Sequence, residues 1–284
     1  MDWSLVLLSQ GIESTIERGE QNSTEGNGER RQRMAWSLLV SHEQFEFAVA
    51  TLRQYQQENP PRPWQQQTIG PGLFFDWAAA AWVGLVLFFH WLNAHAPLEA
   101  NAIMDRTAVQ HGAWWRMFTA VWLHGDIGHL ATNGTIGLVL LGLVMGHYGT
   151  GVGLLAAYLA GAGGNLAILL FATGQHRSLG ASGLVMGALG LLAVQSLTTH
   201  DKWAVAGRLV IGGITGGFML FLLLGTAPGT DVLAHLGGFV SGIGLGALLS
   251  WGRRGLRNQF ANVIAVVLFI GLVVGPWLKV FRQP

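Results

Sequence analysis

Beyond residue 72 the chain alternates long apolar runs with short polar breaks. Seven of the runs approach the ~20 residues that an α-helix needs to cross ~30 Å of hydrocarbon. They fall at 73–92, 128–147, 151–171, 181–197, 208–224, 232–251 and 262–281. Bilayer interiors admit only helices or closed barrels, and these runs are too long and continuous for barrel strands. Residues 1–71 differ: they are polar, rich in Gln and Glu, and close on the breaker-rich ENPPRPWQQQTIGPG, which reads as a linker. Within them RMAWSLLV predicts a strand. SHEQFEFAVATLRQYQQ predicts an amphipathic helix with Phe45, Phe47, Val49 and Leu52 among its apolar positions and Ser41 as its cap. The intervening ERGEQNSTEGNGERRQR is expected to be a disordered excursion.

Composition agrees with a membrane protein, since 51% of residues are hydrophobic and only 11% charged. The 41 glycines allow close backbone approach between membrane helices, as in GLVMG and GFVSG. With no cysteine, disulfides, thiol nucleophiles and Cys-ligated metal sites are excluded. A net charge of +1 offers no reason to propose nucleic-acid binding. The opening MDWSLVLLSQGIE is too short an apolar run, with no basic residue before it, for a secretory signal, so the chain is expected to enter the membrane through its first internal span. Between the first two spans lie about 35 residues, apolar and rich in Trp, expected to rest in the membrane interface.

Orientation follows from Lys and Arg. With the N-terminus inside, the inner segments hold six in the tail plus Lys202, Arg208, Arg253, Arg254 and Arg257, against Arg106, Arg116, Arg177, Lys279 and Arg282 outside. That asymmetry predicts a cytoplasmic N-terminus. The second, fourth and sixth spans then all begin at the outer face, and the polar residues that solubility does not explain cluster at those beginnings: His124, His129 and Asn133 in HGDIGHLATN, Ser182 in GASG and His235 in TDVLAHLGG. Ser182 and His235 are expected at one depth, roughly 6–10 Å in from the outer edge.

A serine becomes a useful nucleophile when a neutral imidazole takes its proton, and His235 is the candidate base for Ser182. The tetrahedral intermediate then needs donors, which the amide of Ser182, the imidazole of His129 and the side-chain amide of Asn133 offer; His129 and Asn133, four apart, share a helix face. Gly183 and Gly238 allow the two helices to pack closely. Asp231 lies at the membrane edge and Asp126 in the loop, so the arrangement is a dyad without a third acid. Each feature has a plainer reading: a serine among small residues packs helices, and a lone histidine hydrogen-bonds a neighbour. A three-histidine metal site lacks an HExxH motif and a carboxylate for water activation. A small transporter with histidine proton relays would need further buried charges.

The motifs resemble those of the rhomboid family of intramembrane serine proteases over about 175 residues, from the first span through the sixth. WWRMFTAVWLHGDIGHLATN is similar to the family's Trp-Arg loop and His-x4-His-x3-Asn motif, GASG to its Gly-x-Ser-Gly, and AHLGGFVSG to its Ala-His-x2-Gly-x3-Gly, which adds Gly242 to the packing glycines. The resemblance implies Ser182 as nucleophile, His235 as base, His129 and Asn133 in the oxyanion hole and His124 as a loop histidine that retains water. Trp115 and Arg116 would belong to a membrane-embedded loop that fixes the protein in lipid. Two positions depart from the pattern: Met186 stands where many members carry a Tyr that stacks on the imidazole, and no acid between Gly134 and Gly146 is available to pair with Arg116.

The implied fold is an all-α polytopic membrane protein, a rhomboid-like bundle of six core transmembrane helices plus one extra, behind a small α+β or partly disordered cytosolic N-terminal domain. The expected divisions are 1–71 for that domain and linker, 72–251 for the protease core and 252–284 for the seventh helix and tail. The implied activity is cleavage, without cofactor or metal, of other proteins' transmembrane segments within the lipid bilayer of a bacterial inner membrane, at a site open to the outer face. The alternative is an inactive rhomboid-like protein that binds and routes membrane clients. Oligomeric state is not legible in the chain.

Overall fold

The computed structural model describes residues 3–24, 30–59, 74–96, 98–195, 197, 203–225, 230–252, 255 and 258–283. The linker from residue 60 to 73, and the basic residues Lys202, Arg253, Arg254 and Arg257, lie outside the described residues. The chain divides into two compact units, Met1–Gly72 and Leu73–Pro284.

The first unit is small. Helix α1 (Trp3–Ser9) is followed by an antiparallel hairpin of β1 (Ser14–Thr24) and β2 (Arg30–Val40), a 3-10 turn (His42–Gln44) and helix α2 (Phe45–Glu58). The register runs from Ser14 opposite Val40 to Thr24 opposite Arg30. Most of the segment expected to be disordered, Glu17 to Arg33, is therefore strand. Its polarity argued against burial, whereas a ladder needs only backbone pairing, and Asn27-Gly28 was a hairpin signal in the sequence. The apolar face of α2 is also not the one expected: Ala48 is buried and Leu52 packs on Leu7 and Ile12, while Phe45 and Phe47 are exposed. Ser41 makes no side-chain cap to the backbone; its hydroxyl donates to the Gln44 side chain.

The second unit is an integral membrane bundle, and every predicted span contains a helix, although the first begins only at Ala79 and the fourth ends at Ala193. Helix α3 (Ala79–His95) leads into a folded loop holding α4 (Glu99–Ala102), β3 (Met104–Asp105), α5 (Arg106–Gln110), α6 (Arg116–Thr119) and a 3-10 turn (Ala120–Trp122). Then come α7 (Ile127–Tyr148), α8 (Thr150–Phe171), β4 (Arg177–Ser178), α9 (Ser182–Ala193), α10 (Trp203–Gly225), α11 (Val232–Trp251) and α12 (Gln259–Phe281). Of these α7, α8, α11 and α12 are long and apolar enough to cross a membrane, while α3, α9 and the Leu209–Leu223 stretch of α10 are shorter apolar helices.

Helix α9 is the centre of the unit. Its 12 residues rise only about 18 Å, short of the hydrocarbon thickness, and every residue from Gly183 to Leu191 is buried between α7, α8, α10 and α11. Lipid gives no hydrophobic drive for such association, so close packing has to hold it. A Cβ at Gly238 would lie 2.2 Å from the Gly183 carbonyl oxygen, and one at Gly242 would lie 2.1 Å from that of Gly187. Gly183 itself has room for a Cβ, with its nearest neighbour 3.5 Å away, so the intimacy comes from the α11 side. Leu184 packs on Gly161, ten residues before the end of α8, which puts Ser182 about 12 Å below that end.

The seventh helix, α12, is tied in by two polar devices. Asn262 Oδ1 accepts from the amides of Gly151 (2.9 Å) and Val152 (3.2 Å), capping the start of α8 from outside. Pro276 has no N–H, which leaves the Leu272 carbonyl without its helical donor; the buried Tyr158 hydroxyl shares its hydrogen between that oxygen (3.4 Å) and the Phe118 carbonyl (3.1 Å).

Candidate active site

The connector between α8 and α9 is pinned before it reaches Ser182. β4 pairs with β3 (Met104 opposite Ser178, Asp105 opposite Arg177), and Arg177 Nε donates to the Asp105 carboxylate at 2.9 Å. The Gly180 amide then donates to the Ala120 carbonyl at 2.9 Å. Gly180 has φ +126°, a conformation side chains rarely adopt, and a Cβ there would lie 2.6 Å from the His129 ring and 3.6 Å from Asn133 Nδ2. Its missing side chain is what lets the His129 ring and the Asn133 amide converge just ahead of Ser182, the first residue of α9.

The two helices facing Ser182 are each capped by a carboxylate. Asp126 accepts from the His129 amide (2.8 Å) at the start of α7, and Asp231 from the Ala234 amide (3.1 Å) at the start of α11. Both acids that could have completed a triad are thus N-caps, holding in place the first turns that carry His129 and His235. Asp231 also pairs with His176 Nε2 at 2.8 Å. Burial opposes its ionisation, but hydrogen bonds from His176, the Ala234 amide and Ser178 outweigh this and hold it below the usual carboxylate range.

Ser182, His235, His129 and Asn133 line one cleft of about 720 Å³, with Met186, Thr230 and Asp231 also in its wall. His235 is buried, and its Nδ1 lies 2.7 Å from the Gly225 carbonyl oxygen at the end of α10. Asn133 is buried too, and its Nδ2 has no hydrogen-bond acceptor. Among the described residues no three His, Asp or Glu side chains are grouped to hold a metal ion.

His124 stands behind the wall of the cleft. It is 1% exposed, its ring centroid is 5.1 Å from that of His129, and its Nε2 accepts from the Ala181 amide at 3.4 Å. Burial, with His129 beside it, pushes its pKa down to about 4, so it stays neutral at ordinary pH. Trp115 and Arg116 do not reach the cleft. Arg116 finds its partners among carbonyls left over at the end of α4, those of Ala100 (2.7 Å) and Ile103 (3.1 Å), while Thr119 donates to Ala102 (2.6 Å) and Trp115 Nε1 to Asn101 (3.2 Å). These side chains turn inward and fold the loop on itself; Trp114 is the exposed one.

The model of the Rhomboid domain matches residues 111–252. This chain belongs to the rhomboid family. The matched stretch starts ahead of Trp115 and Arg116 in the loop and ends with α11, leaving α12 and the N-terminal unit outside the rhomboid match. The chain is 31% identical over 180 residues to Rhomboid protease GluP of Bacillus subtilis, covering 63% of this chain and 34% of that one. It is 34% identical over 171 residues to RHOMBOID-like protein 1 of Arabidopsis thaliana, with coverage of 58% and 42%. An uncharacterized protein of Mycobacterium bovis is 32% identical over 167 residues, with coverage of 56% and 68%. The chain thus spans a third to a half of the length of most of these rhomboid relatives.

Sequence reasoning passed over two groups. Gly180 is the first glycine of the GASG motif, so a signal was present. Gly225 contributes a backbone carbonyl, which every residue possesses, and no residue type could have flagged it.

Proposed function

We propose that this rhomboid is an intramembrane serine endopeptidase that cleaves transmembrane segments of other proteins, with Ser182 as nucleophile and His235 as base. The observation that carries the reading is the single cleft lined by both residues, with Asn133 in its wall and the buried Nδ2 of that side chain without an acceptor. An orphaned buried N–H is unfavourable by about 1–3 kcal/mol, a penalty that a developing oxyanion would relieve.

His235 Nε2 takes the Ser182 hydrogen as Oγ attacks the substrate carbonyl. Asn133, His129 and the Ser182 amide stabilise the oxyanion. The imidazolium then returns its proton to the leaving amine, and water hydrolyses the acyl-enzyme by the same route. A helical peptide bond is shielded, so the substrate unwinds at small or helix-breaking residues to reach a serine about 12 Å down. His124, neutral and hydrogen-bonded just before Ser182, is the residue we assign to keeping water at the site. We place the protein in a bacterial inner membrane, as the resemblance implies, and orient it with its N-terminus cytoplasmic and the cleft open to the outer face from the Lys and Arg asymmetry.

In proteoliposomes with a reporter transmembrane substrate, Ser182→Ala and His235→Ala each lower cleavage by about 10³-fold or more while the protein remains folded. A serine-directed phosphonate labels the native protein and leaves Ser182→Ala unlabelled. Full cleavage by Ser182→Ala removes the proposal. A folded native protein that is neither labelled nor active, yet retains transmembrane clients, supports the client-binding alternative.

A further inference from the structure

The described arrangement leaves open what orients the imidazole, since both nearby acids are occupied as helix caps. The geometry points to the carbonyl of Gly225, at the C-terminus of α10, as the positioning group that does for His235 what a carboxylate does in a three-membered relay. This inference rests on His235 acting as the base, but its central claim is structural and stands or falls separately.

Three observations carry it. His235 Nδ1 lies 2.7 Å from the Gly225 oxygen, and a carbonyl can only accept. The hydrogen of the neutral ring is therefore on Nδ1, and the lone pair is on Nε2, the tautomer a base facing Ser182 requires. Gly225 is also the last residue of a 23-residue helix. A carbonyl in the C-terminal turn lies toward the negative end of the helix dipole, which favours the positive charge that His235 acquires on taking a proton. The same oxygen accepts from the Thr230 hydroxyl at 3.2 Å, which ties the end of α10 to the start of α11 and holds the acceptor in register with the ring.

The backbone at Gly225 lies close to the ring. A Cβ at Gly225 would lie 3.0 Å from the ring of buried Phe221 and 3.5 Å from His235 Nδ1, so glycine lets the backbone come up to the imidazole. Among the described residues the titratable groups facing His235 are Asp231 from the cap of its own helix and His129 from α7, with the Ser182 hydroxyl from α9, and Asp231 is already engaged by His176 and the Ala234 amide. Sequence reading found no third acid. On this inference none is needed, because the Gly225 carbonyl supplies the acceptor.

Two measurements on the full chain in detergent or lipid test it. In the first, ¹⁵N-histidine NMR reads the tautomer of His235, assigned with His235→Asn, in the Ser182→Ala protein, so that no turnover is needed. The expected result is a protonated Nδ1 and an unprotonated Nε2 in the neutral ring. A neutral ring protonated at Nε2, or exchanging between tautomers, overturns the inference. In the second, the peptide bond after Gly225 is replaced by an ester through incorporation of the α-hydroxy analogue of Thr226, making the Gly225 carbonyl a weaker acceptor without altering any side chain. The expected result is a fall in kcat of about tenfold with KM within twofold, and an acid limb of the pH–rate profile moved to lower pH, since the imidazolium loses part of its support. An unchanged kcat and pH profile in the ester protein overturns it. Should the native protein be catalytically silent, the protease reading fails while the tautomer measurement still decides this one.

Discussion

Helices α9 and α12 are similarly apolar, yet they occupy opposite environments. Nearly all of α9 is buried in protein, while only 28% of the membrane-length window of α12 is covered, with Val263, Val267, Leu268 and Ile270 among its exposed residues. In water one of the two would be misplaced. In lipid both are satisfied, because hydrocarbon and protein interior solvate Leu and Val alike. The difference lies in shape: α9 and its partner α11 expose bare backbone to each other at Gly183, Gly187, Gly238 and Gly242, so a short helix can sit recessed and hold a polar residue at its tip. The helix that carries Ser182 is thus distinguished by the smallness of its neighbours and its length, not by its hydropathy.

The contrast breaks most sharply at the glycine contact. Gly242→Val places side-chain atoms inside the Gly187 backbone and should destabilise the bundle by about 4 kcal/mol or more, or prevent folding, read by thermal unfolding in detergent. A native-like melting point for that variant would mean the α9–α11 crossing is not the packing centre. A second effect is set by pH. The folded His124 holds its pKa near 4 against an ordinary 6.5, so between those values the unfolded chain binds a proton that the folded protein does not. Stability should therefore fall as pH drops from about 6.5 to 4, by up to about 3 kcal/mol, and level off below. His124→Asn, which keeps an acceptor for the Ala181 amide, should flatten that slope; an equal slope in both proteins would assign it elsewhere.

Smaller effects sharpen the other side of the comparison. Asn262→Ala removes the cap that α12 lends to α8 and should cost about 1 kcal/mol, with no change in the tautomer of His235. Gly271→Ala in α12 meets nothing within 4 Å and should be neutral or stabilising by up to about 1 kcal/mol through helix propensity. A loss above 1 kcal/mol there would reveal a partner on the bare face of α12.

Much of the candidate site was legible beforehand because it is built from residue types that membrane helices rarely hold without reason. Ser182, His129, Asn133 and His235 were singled out from spacing at the starts of alternate spans, and the structure gathers all four in one cleft. The partners of Arg116 were not legible, since they are the carbonyls of Ala100 and Ile103, and carbonyls leave no trace in a sequence. The hairpin through Glu17–Thr24 was missed for a related reason: polar side chains argue against a core but say nothing against backbone pairing. Phe45 and Phe47 were counted among the apolar positions of an amphipathic helix, yet a core of Leu7, Ile12 and Ala48 covers only one narrow face of α2.

What the chain by itself determined is the solvent each segment prefers and where unusual side chains sit along it: seven apolar helices, their order, and a serine and histidines at three of their beginnings. Those are local properties, set by transfer of side chains between water and hydrocarbon and by a 1.5 Å rise. Only the tertiary structure decided the depth of Ser182, the turning of both acids into caps, and the meeting of the α10 terminus with His235. Each of these depends on which backbone atoms approach which, and backbone atoms are the same in every residue.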